Sequence, residues 1–364
     1  MLLLSILFAV VLLNAAYFIL FSKFSFLKIP EIQAPQSFPV SIIVCAKNEA
    51  DNLKENIPLW LAQEYPNFEL ILINDASTDD TMEVIESFAR NNEKVHTVNI
   101  ENNETFWSNK KYSMTLGIKR ALNKRMLFTD ADCKPASTQW LTLMTRALDN
   151  EKHLVLGYGA YEKRPGILNA LIRYETLMTA TQYFSYAQVG MPYMGVGRNL
   201  AYTSHLFYEN RGFMSHMNVH SGDDDLFVNE AATQENTTFC FHKDGFTYSK
   251  PKESFKSWFR QKRRHITTAK HYKGKHKFLL GLYYVSNLLF WVLAVLCFIL
   301  TDWKIPVALV IFRLILQYIF VGNATKMLRE KDLLPYMPLL ELFLVFFQLT
   351  IFISNKVAKP KRWK

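Results

Sequence analysis

Cysteine is scarce and scattered: Cys45, Cys133, Cys240 and Cys297 are the only four in 364 residues. No two form a Cys-x-x-Cys or a zinc-ligand spacing, which excludes a thiolate metal centre and leaves free thiols in a reducing compartment as the reading. The nine histidines show no paired ligand pattern either. Charge is missing from residues 2 to 21, where only Ser5 and Asn14 are clearly polar, and about 20 such residues suffice to cross a bilayer as a helix. A basic region before this stretch and a small-x-small cleavage site after it are also lacking, which sets an uncleaved anchor above a cleavable signal peptide.

Apolar residues make up 50% of the chain, with 28 Phe among them, too greasy for an ordinary soluble enzyme. Beyond the first segment, the excess lies near residues 278 to 300, 305 to 322 and 336 to 354. The second stretch carries Arg313 and Gln317 and the third Pro338, Glu341 and Gln348, so each either spans, packs against its neighbours or lies at the interface. Lys23 and Lys28 follow the first segment and place its C-terminal end, with the domain beyond, in the cytoplasm. Three further full crossings would put the basic tail Lys356 to Lys364 outside, so either one stretch does not cross or the tail is an exception to the charge bias.

Residues 250 to 277 hold eleven Lys or Arg against one acid, Glu253, a surplus equal to the formal net charge of +10. Nucleic acid could be the partner of such a block. Directly before an apolar segment, it reads more simply as a juxtamembrane patch for anionic lipid headgroups, and no nucleic acid is expected. Trp258 within it is expected to anchor at the headgroup level.

Between these flanks, strand and helix alternate. Val40 to Cys45 is an apolar run followed by a polar turn at Lys47-Asn48-Glu49 and a helical stretch with Leu53, Ile57 and Leu61. Phe68 to Ile73 is a second strand, ending in Asn74-Asp75-Ala76-Ser77-Thr78-Asp79-Asp80, where Ser77 or Thr78 is placed to cap a helix striped by Met82, Ile85 and Phe88. Val95 to Ile100, residues 110 to 124 and Met126 to Thr129 follow as strand, helix and strand. This alternation predicts an α/β fold with a largely parallel sheet covered on both faces, and in such sheets ligands sit at the carboxyl ends of the strands. Asp75 and Asp130 both follow strand ends. Because side chains at i and i+2 of an extended segment share a side, Asp130-Ala131-Asp132 is expected to aim two carboxylates at one ligand. Residues 166 to 187, with Leu168, Leu171, Ile172, Leu177, Met178, Phe184 and Tyr186, read as an amphipathic helix resting on the bilayer or packed under the catalytic domain.

Pro39-Val40-Ser41-Ile42-Ile43-Val44-Cys45-Ala46-Lys47-Asn48-Glu49, Asn74-Asp75-Ala76-Ser77-Thr78-Asp79, Asp130-Ala131-Asp132, Ser221-Gly222-Asp223 and Gln261-x-x-Arg264-His265 resemble, in order and spacing, the family 2 glycosyltransferases of the GT-A fold. The flanking apolar segments are similar to those of membrane-bound members, among them cellulose and hyaluronan synthases and polyprenyl-linked sugar transferases. The resemblance implies a Rossmann-like GT-A domain between transmembrane helices and transfer of a sugar from a nucleotide diphosphate.

It also implies roles for particular residues. Asp132 would bind a divalent cation, Mg2+ or Mn2+, directly, while Asp130 helps hold the cation or the ribose and Asp75 hydrogen-bonds the nucleobase. Carboxylate oxygens suit a hard cation that stabilises a departing diphosphate. Lys110 looks like part of the Lys-rich segment that touches nucleotide or phosphates, with a solvated helix lysine as the rival reading. Aligning Asp225-Leu226 with the family's Asp-Leu makes Asp223 the general base, with Ser221-Gly222 in place of Thr-Glu and Asp224 as the neighbouring alternative. Arg264 would clamp the diphosphate through its planar fork, Gln261 would bind near donor or acceptor, and His265 stands where the family usually has Trp, which weighs against processive synthesis. Gly195 to Tyr202, with Gly197 and Asn199, resembles the acceptor-side loop, to which Asp224 is added; a plain turn explains it equally.

The expected organisation is an anchor over 1–22, a linker over 23–38, a GT-A domain over 39–235, a basic interfacial segment over 236–277, a transmembrane region of two or three helices over 278–355 and a basic tail over 356–364. The expected activity is that of a multi-pass cell-membrane enzyme with its catalytic domain in the cytoplasm. It would move a sugar with inversion from a nucleotide-sugar donor to a lipid-linked or glycan acceptor. The alternatives are a processive polysaccharide synthase of the same fold and a catalytically silent adaptor that binds lipid or RNA.

Overall fold

The computed structural model describes residues 1–29, 38–101, 110–148, 151–219 and 221–357. Half of the expected linker, residues 30–37, and most of the basic tail, residues 358–364, lie outside them. In chain order the helices are α1 (Leu2–Ser25), α2 (Ala50–Leu61), α3 (Thr81–Asn91), α4 (Lys110–Arg120), α5 (Trp140–Thr145), α6 (Ile167–Gln188), α7 (Ser204–Glu209), α8 (Asp225–Ala231), α9 (Phe255–Ala269), α10 (Gly274–Leu300), α11 (Lys304–Met327) and α12 (Met337–Val357). The strands are β1 (Val40–Ala46), β2 (Phe68–Asp75), β3 (Val95–Ile100), β4 (Arg125–Asp130), β5 (Cys133–Pro135), β6 (Leu154–Leu156), β7 (Gly159–Tyr161), β8 (Leu200–Thr203), β9 (Thr237–Phe239) and β10 (Thr247–Ser249). Two compact units result: a helical one of Met1–Lys28, Lys163–Val189 and Pro251–Lys364, and an α/β one of Ile29–Glu162 and Gly190–Lys250.

In the helical unit, Leu2–Ser25, Gly274–Leu300, Lys304–Met327 and Lys331–Val357 are long and apolar enough to cross a membrane. Arg313, Gln317 and Glu341, polar residues that interrupt two of them, belong to one network. Arg313 is wholly buried and donates from Nη1 and Nη2 to the two carboxylate oxygens of Glu341, each at 2.7 Å. Its Nε donates to Asn14 at 3.0 Å, Nη2 to Asn287 at 2.8 Å and Nη1 to Gln317 at 3.1 Å. An unpartnered guanidinium in an apolar bundle would be costly; here one side chain joins α1, α10, α11 and α12. Pro338 falls in the first turn of α12, where no intrahelical N–H is lost.

Two expectations fail here for reasons of tertiary packing. Trp258 is not an exposed headgroup anchor: it is fully buried and stacks on Phe347 of α12, ring centroids 4.2 Å apart. Nor is α6 amphipathic in use. It clusters with the helical unit although its sequence lies inside the span 39–235, and it buries Leu171, Ile172, Tyr174, Leu177, Thr181 and Phe184 around its circumference.

The α/β unit is built on a seven-stranded sheet of order β3-β2-β1-β4-β8-β6-β9. The first four strands are parallel, and β8 runs antiparallel between β4 and β6. A second sheet has the order β5-β10-β7. Alternation along the strands sorts the core. Ile42 and Val44 of β1 and Leu70 and Leu72 of β2 join Leu53, Ile57 and Trp60 of α2 and Ile85 of α3 in one cluster. On the other face α4 packs so close that a Cβ on Gly117 would lie 2.2 Å from Ile73 Cδ1.

Local ends differ from the sequence reading where distant groups intervene. Helix α4 stops at Arg120 instead of running to 124, because the N–H groups of Leu122 and Asn123 turn to Glu69 Oε1 and Ser41 Oγ. The cap of α3 is neither Ser77 nor Thr78, both of which bond Asn48 of the preceding loop. Asp80 stands in the N-cap position, and the side chain of Asp79 before it accepts from Thr81 N at 3.1 Å and Thr81 Oγ1 at 2.5 Å.

Candidate active site

Strands β2 and β4 flank β1 and end on Asp75 and Asp130, so both acids stand at the carboxyl edge of the parallel sheet. The argument from extended geometry holds only for Asp130. β4 stops there, and Ala131-Asp132 form a turn into β5. The turn nonetheless keeps the two acids together: a carboxylate oxygen of each and Cys133 Sγ lie within 4.8 Å of one another. Cys133 is buried and shares a 3.0 Å hydrogen bond with Ser249 Oγ.

The N-terminus of α4 delivers a cation to this edge. Lys110 Nζ lies 2.7 Å from Asp130 Oδ1 and 3.0 Å from Asp223 Oδ2, so one ammonium bridges acids from two distant segments. One turn on, Ser113 Oγ donates to Asp75 Oδ1 at 2.5 Å. The next segment is held from Gly197, whose N–H donates to Asp224 Oδ2 at 2.7 Å, while Asp224 Oδ1 caps α8 by accepting from Asp225 N at 2.7 Å. An open cleft lies between these elements, lined by Lys110, Met114, Phe128, Thr129, Asp130, Gly197, Leu200, Tyr202, Asp223 and Asp224.

The electrostatics separate the two neighbouring acids. Burial works to raise the Asp223 carboxyl, but the Lys110 ammonium outweighs it and holds Asp223 below the usual carboxylate range. Burial, reinforced by repulsion from Asp223 and Asp225, pushes Asp224 up to about 7. Lys110 is opposed by burial as well, yet Asp130 and Asp223 hold its proton well above the ordinary lysine range.

The α/β unit therefore gathers Lys110, Asp130, Asp223, Asp224 and Gly197 around one cleft, with Asp132 beside Asp130 and Asp75 at the same sheet edge. Asn199 does not face an acceptor. It is fully buried, with Oδ1 accepting from Trp140 Nε1 and Nδ2 donating to the carbonyls of Tyr158 and Gly245. Gln261, Arg264 and His265 are on α9 of the helical unit, one face of a helix by their spacing. Ser113, Lys111 and the Gly197 amide were not singled out from sequence. Only Ser113 carried a signal there, three residues after Lys110 on the same helix face.

A mostly parallel α/β sheet with carboxylates gathered at the carboxyl ends of its strands is the architecture of nucleotide-sugar-dependent glycosyltransferases of the GT-A fold. Residues 41–194 match the sequence profile of the Glycosyl transferase family 2, and the chain carries a domain of that family. A 136-residue stretch is 30% identical to an uncharacterized glycosyltransferase of Haemophilus influenzae, covering 36% of this chain and 40% of that protein. Over 116 residues it is 29% identical to the poly-beta-1,6-N-acetyl-D-glucosamine synthase of Staphylococcus aureus, covering 32% of this chain and 27% of that one. The matched part is thus well under half the length of these curated relatives. Among solved structures, a mannosyltransferase from Pyrobaculum calidifontis in complex with GDP-Man and Mn2+ superimposes with a TM-score of 0.59 at 18% identity, over 93% of this chain and 99% of that one. At that identity the likeness speaks for the fold.

Proposed function

We propose that the chain is a membrane-embedded, inverting glycosyltransferase that moves a sugar from a nucleotide diphosphate to a lipid-linked or glycan acceptor on the cytoplasmic side. The observation that carries this reading is the bridge from Asp130 through Lys110 to Asp223 at the carboxyl edge of the sheet. It supports the reading because Asp223, the proposed base, stands across one ammonium from Asp130, a proposed ligand of a diphosphate-bound cation.

The donor set fits such a cation. Two carboxylates converge at the strand end within 4.8 Å, hard oxygens that suit Mg2+ or Mn2+ alike. Asp132 and Asp130 would hold the ion, and its chemistry when bound is stabilisation of charge on the departing diphosphate. The rest is the work of protein side chains. Asp75, fixed by Ser113, is the proposed partner of the nucleobase. Asp223, kept ionised by Lys110, accepts the proton of the acceptor hydroxyl as that oxygen attacks the anomeric carbon. With one base and no enzyme nucleophile, the sugar would invert. Arg264, through a guanidinium suited to phosphate oxygens, is the proposed diphosphate ligand, and Gln261 and His265 are proposed to act beside it. The four long apolar helices and the basic residues of 250–277 support seating in a membrane with anionic headgroups.

The test is a thermal-shift panel of nucleotide sugars with and without Mg2+ or Mn2+. A bound donor raises the melting temperature by mass action. One nucleotide sugar is expected to do so in a metal-dependent way, and a panel without any such shift contradicts the reading. His265, in place of an aromatic platform, favours single transfer; product length on a primer separates that from processive synthesis.

A further inference from the structure

Lys110 has an adjacent lysine whose position the proposed chemistry does not use. Successive residues on a helix point about 100° apart, and the Lys111 side chain leaves the cleft that Lys110 enters. Lys111 is 1% exposed, and its Nζ donates to the main-chain carbonyls of His216, at 2.7 Å, and Val219, at 2.9 Å. Among the described residues no carboxylate lies within ion-pair distance of it. Burying an ammonium against neutral acceptors alone is unfavourable relative to an apolar side chain of similar length.

What the two bonds hold is the stretch leading into Asp223-Asp224-Asp225. Three residues separate Val219 from Asp223, and Gly222 among them sits at φ +93°, a left-handed conformation with little intrinsic preference for one path. Downstream the segment is fixed where Asp224 accepts from Gly197 N and caps α8. Upstream, His216 is tied through Nδ1 to Ser215 Oγ at 2.8 Å and lies 3.4 Å from Glu230 Oε2 of α8. Val219 N–H donates to the His216 carbonyl at 3.0 Å, and Lys111 adds a tie to each of these two residues from the first turn of the helix that also carries Lys110. One helix end thereby fixes both the cation and the main chain of the acid that meets it.

We propose that Lys111 is a positioning residue for the transfer reaction: by holding the carbonyls of His216 and Val219 it sets where Asp223 stands relative to Lys110 and Asp130. The inference rests on the reading of Asp223 as the base. Burial pushes the Lys111 ammonium down to about 8, with Asp223, Asp225 and Asp224 opposing that shift. Of the other groups facing the segment, His216 is pushed down to about 4, Asp224 up to about 7, and Lys110 is held well above the ordinary lysine range. The tie should therefore loosen on the alkaline side of neutrality.

The full chain in detergent is tested by amide hydrogen exchange and by turnover of GDP-mannose and UDP-N-acetylglucosamine with Mn2+. Lys111→Met is expected to speed exchange over residues 217–224 about tenfold or more, the loss of two charge-assisted hydrogen bonds, with β1 to β4 unchanged. It should lower kcat by a similar factor while leaving the affinity for GDP or UDP within about twofold. Should Lys111→Met fail to fold, wild-type protein moved from pH 7 to 9.5 gives the same readout: chymotryptic nicking after Phe213 to Met217 should rise, and Lys111→Arg should suppress that rise. Unchanged exchange in the variant, or nicking independent of pH, overturns the proposal whatever the donor. Asp223→Asn is measured alongside. If it keeps transfer, the base assignment fails; if it abolishes transfer while Lys111→Met is normal, only the positioning role fails.

Discussion

Lys110 Nζ and Asp223 Oδ2 stand 3.0 Å apart, although they come from the start of α4 and from the segment before α8, and the same ammonium lies 2.7 Å from Asp130. Removing this cation should leave two acids facing each other without a counter-charge. Lys110→Met is expected to make Asp223 easier to protonate, moving the acid limb of the pH–rate profile upward by about one unit or more. A profile that superimposes on wild type would show the bridge to be irrelevant to turnover.

Asp223→Asn keeps the shape of the side chain and removes its basicity. Transfer should fall by about 10²–10⁴-fold, with nucleoside diphosphate affinity retained in calorimetry.

Asp132→Ala is expected to act on binding instead. Its affinity for a nucleoside diphosphate in Mn2+ or Mg2+ should drop to the value measured with a chelator present, and stimulation of turnover by metal should disappear.

Asp224 makes stability depend on pH. Its carboxyl, ordinarily near 3.8, is pushed up to about 7, so between these values the folded protein keeps a proton that the unfolded chain has lost. The stabilising contribution is complete below about pH 4, is lost as pH rises through about 7 and is constant above that. Asp224→Asn should flatten the melting temperature across this window in differential scanning fluorimetry.

Glu341→Ala would leave the fully buried Arg313 guanidinium without its carboxylate. Breaking a buried pair in this way costs about 3–5 kcal/mol, and the melting temperature in detergent should fall by several degrees. Replacing both partners, Arg313→Met with Glu341→Leu, should recover much of the loss. A double variant as unstable as the single one would point to the Asn14 and Asn287 bonds as the larger contribution.

The strands and the acids at their ends were legible because both signals are local. The runs Val40 to Cys45 and Phe68 to Ile73 are apolar enough to be buried on both faces, and Asp75 and Asp130 follow such runs directly. What could not be read depended on partners remote in sequence. Asn48 claims Ser77 and Thr78 and leaves the first N–H of α3 to the side chain of Asp79. Phe347 covers Trp258, which the basic context alone assigned to a headgroup layer. Asn199 sits in a loop whose glycines suggest ligand approach, yet Trp140, Tyr158 and Gly245 take up its amide in the interior. Arg313, Gln317 and Glu341 looked like flaws in apolar helices until one guanidinium was seen to gather them.

The sheet-bearing unit is interrupted in sequence, since Lys163–Val189 belongs to the helical unit and returns the chain at Gly190. Trimming both ends of the polypeptide therefore cannot yield a water-soluble catalytic fragment. The excised piece would still carry α6, with Leu171, Ile172, Leu177 and Phe184 stripped of their cover. A soluble version has to delete that helix and rejoin Glu162 to Gly190 through a short polar bridge.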